Sequence, residues 1–223
     1  MSTNTPKADT RRDMRDVILD AVDRLLARFG YQKMTMDDIA REAGISKRTI
    51  YLHFANKEEV ALSSIDRVAS GLQTRLTAIA QSSDAPDTKL REMLVTRVLF
   101  RFDSVQAYYQ SFDDLFAALR PAYLARRERY FVMETELLAR PLEEGKQSGI
   151  FAVESIPVTA QAMLLATNSL LPYSLSAREL GARDEIARKV DAIADLLIQG
   201  ARRNDISPER SSSQLQSFTN DCD

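Results

Sequence analysis

The chain of 223 residues has one histidine, His53, and one cysteine, Cys222. A disulfide framework, a CxxC redox pair and a Cys/His zinc site are therefore all impossible within one copy, and a Ser-His-Asp triad would have to be built on His53 alone. The first thirteen residues, MSTNTPKADTRRD, are polar and charged, and no run of about 18 apolar residues occurs. Neither a secretory leader nor a membrane span is expected, and the expected location is the cytoplasm. Acidic residues are dispersed rather than convergent, so no catalytic residue, metal site or cofactor is assigned, and an enzyme on a helical scaffold is the weakest functional reading. A net charge of −2 lacks the surplus of Lys and Arg that phosphate neutralisation calls for.

Seven Gly and seven Pro leave few turn signals, and Leu, Ala, Arg and Glu dominate what remains, so the expected fold is all-α. Helical spacing of Ile18, Val22, Leu25 and Phe29 predicts a first helix over about 10–29, stopped by Gly30. Short helices over 35–43 and 46–54 follow. A longer one opens near Asn56, carries the stripe Ile65, Val68, Leu72, Leu76 and Ile79, and ends at the SSDAPD run of 82–87. Cap and turn signals at Asp103-Ser104, Pro121, Gly149, Pro157 and Gly181 divide the rest into helices over about 88–102, 104–118, 121–148, 157–178 and 182–203. Pro141 is expected to kink or end the helix containing it. The expected organisation is an N-terminal head over 1–57 with a flexible arm, a helical body over 58–203, and a disordered tail over 204–223.

Residues 35–60, TMDDIAREAGISKRTIYLHFANKEEV, carry the functional signal. Thr35 is an N-cap candidate, with Asp37 and Asp38 in the first turn where the helix dipole favours them. Ile39, Ala40 and Ala43 face a core. Gly44 supplies a left-handed turn, Ile45 points inward and Ser46 caps the next helix. Helix, tight glycine turn and helix make a helix-turn-helix. In the second helix Ile50 and Phe54 point inward together, leaving Lys47, Arg48, Thr49, Tyr51 and His53 outside. That is the mixture a major-groove helix needs: Arg bonds guanine in a bidentate way, Thr touches a thymine methyl, and Lys, Tyr and His hold phosphates. Lys57 opens the following helix, where its charge and free backbone N–H groups can meet a phosphate. For Thr35 a structural role as cap stands beside the functional one.

At these residues the chain resembles the tetracycline-repressor (TetR) family of bacterial transcription regulators. The matching elements are Thr35, the Ile39-Ala40 pair, the run from Ala43 to Ser46, Tyr51, the His53-Phe54 pair and Lys57, preceded by Phe29-Gly30-Tyr31. The resemblance covers about the first 60 residues; beyond them only length and helix number agree. It implies that Lys47, Arg48 and Thr49 contact bases and that Thr35, Tyr51, His53 and Lys57 contact phosphates. Many family members carry a small residue where Arg48 stands, and Arg48 reads either a base or a phosphate. The function implied is a dimeric, ligand-responsive regulator, a repressor of a palindromic DNA operator released by a small-molecule effector. A helical dimeric adaptor that no longer binds DNA is the alternative.

Two further expectations concern the body. An aromatic and methionine cluster, Phe100, Phe102, Tyr108, Tyr109, Phe112, Phe116, Tyr123, Tyr130, Phe131 and Met133, is read mostly as helix packing, but part of it suits an effector pocket, to which Phe100, Tyr108, Tyr109, Phe112, Phe116 and Tyr130 are assigned. The basic run Arg120, Arg126, Arg127 and Arg129 spans several faces and reads mainly as solvated surface, with room for one Arg to meet an anionic ligand. The apolar 160–171 segment and the stripe Ile186, Val190, Ile193 and Leu197 predict a homodimer through the last two helices, about 157–178 and 182–203. The charge objection also dissolves: residues 1–57 hold eleven Lys and Arg against eight Asp and Glu, and the acidity lies in the remainder.

Overall fold

Helix boundaries follow from the capping chemistry of the chain. In the computed structural model, residues 13–106, 112–171 and 181–202 are described, apart from the side chains of 112–116. Asp13 accepts from the Arg15 amide and opens α1 (Met14–Lys33). The backbone of α1 leaves helical geometry at Gly30 (φ 71°, ψ 171°) and takes one further turn. Thr35 and Asp38 form a reciprocal capping box at the start of α2 (Met36–Ala43), Ser46 caps α3 (Lys47–His53), and Asn56 caps α4 (Lys57–Ala80). Pro86 lies in the first turn of α5 (Pro86–Val105), where its missing N–H costs nothing. The long α6 (Phe112–Gln147), α7 (Ile156–Asn168) and α8 (Arg183–Ala201) complete the described elements, among which there is no strand beyond a single bridge between Phe151 and Arg202.

Several expected breaks are absent, each for a physical reason. The helix expected to end at 102 runs on to Val105. Asp103 pairs instead with Arg183 at 2.8 Å and the Ser104 hydroxyl donates to the Phe100 carbonyl at 2.6 Å, so neither side chain caps a new helix. Pro121 and Pro141 both lie inside α6, joining the predicted 104–118 and 121–148 helices. Each proline removes one backbone bond, but Leu119 and Tyr123 flank the first, and Leu137, Leu138 and Leu142 flank the second, all buried. Burial of those side chains, at about 1.5–3 kcal/mol each, outweighs the roughly 3 kcal/mol that an interior proline costs. Phe29, expected in the core, is 48% exposed, and Tyr31, beyond the turn at Gly30, takes a buried place instead. The helix predicted over 157–178 is α7 as far as Asn168, and 172–180 lie outside the described residues, as do the arm before 13 and the tail after 202.

Three apolar clusters organise the packing. The first joins Ile18, Val22 and Leu25 of α1, Ile39 of α2, Ile50 and Phe54 around α3, and Val60 to Leu62 of α4 with Leu119, Tyr123 and Tyr130 of α6. The second holds the far half of α4 against α5, α6, α7 and α8 through Leu72, Leu76, Met93, Leu138, Leu164 and Ile198. The third gathers Val98, Phe102 and Val105 with Leu170, Leu171, Ile186 and Val190. α4 therefore belongs to two cores, its first turns to the head and its last to the body. The stripe expected to face a second subunit is mostly spent here, because α8 packs along α5 and buries Ile186, Val190, Ala194 and Ile198, while Ile193 and Leu197 are partly covered. The large apolar side chains that α7 and α8 leave exposed are Val158, Leu165 and Leu196.

Candidate nucleic-acid interface

Local chemistry fixes how α3 is presented. Gly44 adopts φ 68°, ψ 31°, the left-handed region that costs an L side chain roughly 1 kcal/mol or more, and its N–H closes the end of α2. Ile45 then packs against the head core and Ser46 accepts from the Thr49 amide at 3.0 Å. Ile50 and Phe54, 0% and 1% exposed, anchor one side of α3. The other side is left for solvent. Lys47, Arg48, Tyr51 and Leu52 are exposed, Thr49 and His53 partly so.

The expected contact residues do not all stand in the same condition. Arg48 bonds no described residue and Tyr51 is 48% exposed, so both are open to a ligand. Lys47 reaches back to Asp37 at 2.9 Å, and the bond to that carboxylate holds its ammonium pKa above the usual range. Thr35 is committed to Asp38, donating at 2.6 Å and accepting from its amide at 3.2 Å; that hydroxyl, ahead of the nearby Arg41, holds the Asp38 carboxyl below its ordinary range. Thr49 shares a hydroxyl bond with Ser46 at 2.8 Å. Lys57 is turned inward, donating to the Tyr31 carbonyl at 3.1 Å with its ammonium 4.3 Å from the Tyr31 ring centroid. Its charge is used within the head.

Two residues outside the sequence-based set bear on this surface. Arg15 of α1 donates to the His53 carbonyl at 2.8 Å and lies 4.2 Å from the Phe54 ring centroid. A guanidinium there satisfies an orphan carbonyl at the end of α3 and complements its dipole. Nothing in the local pattern announces it, since the partners are 38 residues apart. Leu52, 77% exposed, sits one turn beyond Arg48 on the same side of α3. An apolar side chain left in water on a four-residue outer face was legible from the spacing of Ile50 and Phe54.

The body has its own polar centre. Arg97, 1% exposed, donates to Glu134 at 2.5 Å, to Thr167 at 2.9 Å and to Asn168 at 2.6 Å. Arg101 donates to the other oxygen of Glu134. Burial pushes the Glu134 carboxyl up, but Arg101 and Arg97 together hold it below the ordinary range. A cavity of about 10 Å³ opens beside this cluster, lined by Arg97, Arg101, Tyr123, Arg127, Tyr130, Phe131 and Glu134. Of the six residues expected to line a pocket, Tyr130 is at this cavity. Phe100 is not: its ring packs against Gly71 and the Arg75 guanidinium on the α4 side. Tyr108 and Tyr109 lie outside the described residues, as do the side chains of Phe112 and Phe116. The basic run is divided as well, with Arg127 at the cavity, Arg126 paired with Asp66 of α4, and Arg126 and Arg129 walling a broad open groove of about 510 Å³ against Glu58 and Glu59. Tyr130 also donates to Asp66, whose carboxyl is raised by burial in spite of Arg126 and Arg129.

Comparison with known proteins bears directly on the head. Residues 18–63, the span from the first buried turn of α1 into α4, match the family model described as bacterial regulatory proteins, tetR family. The head of the chain is therefore similar to that of the tetR family. Among relatives it is 29% identical over 156 residues to an uncharacterized HTH-type transcriptional regulator, YhgD, of Bacillus subtilis, covering 68% of this chain and 79% of that protein. It is 29% identical over 132 residues to the HTH-type transcriptional regulator EthR of Mycobacterium tuberculosis, covering 59% of this chain and 56% of that one. A crystal structure of a TetR/AcrR-family regulator from Thermobifida fusca superposes with a TM-score of 0.63 at 25% identity, over 86% of this chain and all of that one. The fold is also that of SmeT in its triclosan complex, TM-score 0.61 at 18% identity, over 86% and 93% of the two chains. The chain is accordingly a transcriptional regulator whose described residues form an N-terminal helix-turn-helix head on a helical body. No helix among its described residues is long and apolar enough to cross a membrane.

Proposed function

We propose that this regulator is a cytoplasmic homodimeric repressor that binds a palindromic DNA operator through α3 and releases it when a small molecule enters the body. The observation that carries the reading is the outward side of α3, where Arg48 and Tyr51 stand open beside Lys47 while Ile50 and Phe54 anchor the helix. Arg48 reads a guanine edge, worth about 1–3 kcal/mol of discrimination per site, and Lys47 and Thr49 flank it. Thr35, Tyr51 and His53 reach phosphates and fix the register. Two copies joined through α7 and α8, with Val158, Leu165 and Leu196 available for the contact, set their α3 helices one turn of DNA apart. The unit up to about residue 57 is the reader and the rest, to about 203, is the dimerising and effector-binding body.

Footprinting of the purified protein on DNA upstream of its own gene, extended to a genome-wide pull-down, tests the reading. Protection of a palindrome, lost in Arg48→Ala with Tyr51→Ala while light scattering still reports a dimer, is expected. Absence of sequence-specific protection anywhere in the genome would refute it and leave the dimeric adaptor.

A further inference from the structure

The outward side of α3 is polar except at one place. Ile50 and Phe54 define the inward direction of the helix. At about 100° per residue, Leu52 stands about 180° from the mean of those two, the outermost position the helix has. It is 77% exposed, more than any other large apolar side chain among the described residues. A single leucine in water is common on protein surfaces. This one is set apart by its neighbours: Arg48 lies one turn before it on the same side, Tyr51 is beside it, and all three are exposed on the side of α3 turned away from the head's core. The floor of a DNA major groove shows hydrogen-bonding atoms at every base pair and one apolar group, the C5 methyl of thymine. A leucine over a guanine or cytosine edge covers acceptors or an amine that it cannot pair, whereas over a thymine it buries methyl against methyl. Thr49, which also carries a methyl group, is partly covered and shares its hydroxyl with Ser46.

We infer that Leu52 is a specificity-determining residue of the head, selecting a thymine in each half-site of the operator by packing against its C5 methyl. The inference rests on the reading of α3 as the helix that enters the major groove. Four residues along a helix are about 6 Å, and bases stack about 3.4 Å apart, so the thymine lies within about two base pairs of the pair that Arg48 meets. The two side chains contribute in different ways. Arg48 acts through charge and hydrogen bonds, whereas Leu52 brings no charge and releases no counterion, so its share of the discrimination persists as salt is raised. Leu52 has no part in the head's apolar core, and its replacement leaves the packing of Ile50 and Phe54 as it is.

Selection from a random DNA pool by the purified full chain supplies the operator, and each of its thymines is then replaced in turn, in both half-sites, by deoxyuridine, which lacks only the methyl group. Binding is read by fluorescence anisotropy at fixed salt. At one thymine position the wild type should lose about fourfold in affinity per half-site, and about fifteenfold for the two together, the worth of one buried methyl group. That loss should vanish in Leu52→Ala, whose side chain stops at Cβ, and persist in Leu52→Met, with thermal unfolding unchanged in both. Selection repeated with Leu52→Ala should return the same palindrome without its preference for thymine at that position. A wild type indifferent to every thymine methyl overturns the inference. An equal loss in wild type and Leu52→Ala also overturns it, since the methyl then belongs to another residue. So does a Leu52→Ala variant weakened alike on all sequences, which would place Leu52 on the sugar-phosphate backbone. These three outcomes leave α3 as the reader of an operator, whereas a wild type that selects no sequence refutes that reading and the role of Leu52 together.

Discussion

Replacing Glu134 with Gln keeps the shape of the side chain and removes its charge. In the folded chain that carboxylate, 8% exposed, accepts from both Arg97 and Arg101. An amide leaves two guanidiniums facing one carbonyl oxygen and an NH2 group that repels them. Breaking a buried pair by removing one partner costs about 3–5 kcal/mol, because a charge is left uncompensated. For a chain of this length about 1 kcal/mol corresponds to roughly 2–4 °C, so a drop in Tm of about 6–20 °C is expected, with a matching fall in the urea midpoint and an unchanged slope. The measurement is made at fixed protein concentration, because self-association, where it occurs, couples Tm to concentration. In an Arg101→Gln background the same substitution should cost distinctly less, one cation rather than two being stranded. The pH dependence has a definite sign. Glu134 has a lowered carboxyl pKa in the folded chain, so its contribution is fully present above the unfolded value of about 4.3 and is lost as pH falls through the folded one. The gap between wild type and Glu134→Gln should close on acidification below about pH 4. A cost under about 1 kcal/mol at pH 7, or one that is the same with and without Arg101, would refute the account of the cluster as a strongly coupled buried centre.

Three other substitutions probe the head and the body. Arg15→Met removes the bond to the His53 carbonyl and the stacking on Phe54 and should cost about 1 kcal/mol of stability and about tenfold in operator affinity, with faster hydrogen exchange confined to the last turn of α3; unchanged exchange there would remove the clamp. Lys57→Met should destabilise the head by about 1 kcal/mol in urea while leaving the salt dependence of DNA binding as it was, whereas a fall in that slope by about one unit per subunit would make Lys57 a phosphate contact. Gly145→Ala places a methyl 2.2 Å from the buried Phe151 ring, and the overpacking, about 1–3 kcal/mol, should exceed the gain of roughly 1 kcal/mol in helix propensity; a stabilised variant by thermal unfolding would show that Phe151 can move.

The parts of this molecule that were legible in its sequence are those decided within four residues. Thr35 with Asp38, Gly44, and Ser46 with Thr49 are local exchanges of hydrogen bonds, and their residue types and spacing state the outcome before any packing is known. The inward pair Ile50 and Phe54 is legible for the same reason. Local rules misled where burial outweighed them. Pro141 reads as a breaker, yet Leu137, Leu138 and Leu142 around it are all buried. Asp103 and Ser104 read as a cap, and their side chains found better partners in Arg183 and in the turn before. The polar centre of the body was out of reach altogether, because Arg97 meets Glu134 across 37 residues and Thr167 across 70. No periodicity records such a meeting.

The cavity and the reading head share material. Tyr123 and Tyr130 line the polar cavity and are also buried members of the head's own core, together with residues of α1, α2, α3 and α4. Tyr130 donates to Asp66, and Arg126 pairs with the same carboxylate, so α6 holds α4 through two polar contacts at the point where α4 passes from one core to the other. Arg67, one residue on, is bonded to Asp20 and Asp23 of α1 at 2.8 and 2.6 Å. A displacement of α6 that moves these two tyrosines therefore gives up contacts in the head. The coupling need not be large: a factor of 5–150 in affinity, about 1–3 kcal/mol, is what such linkages typically amount to. That is comparable to one or two of the polar contacts just named, so no long chain of displacements is required to connect the interior of the body with the pose of α3.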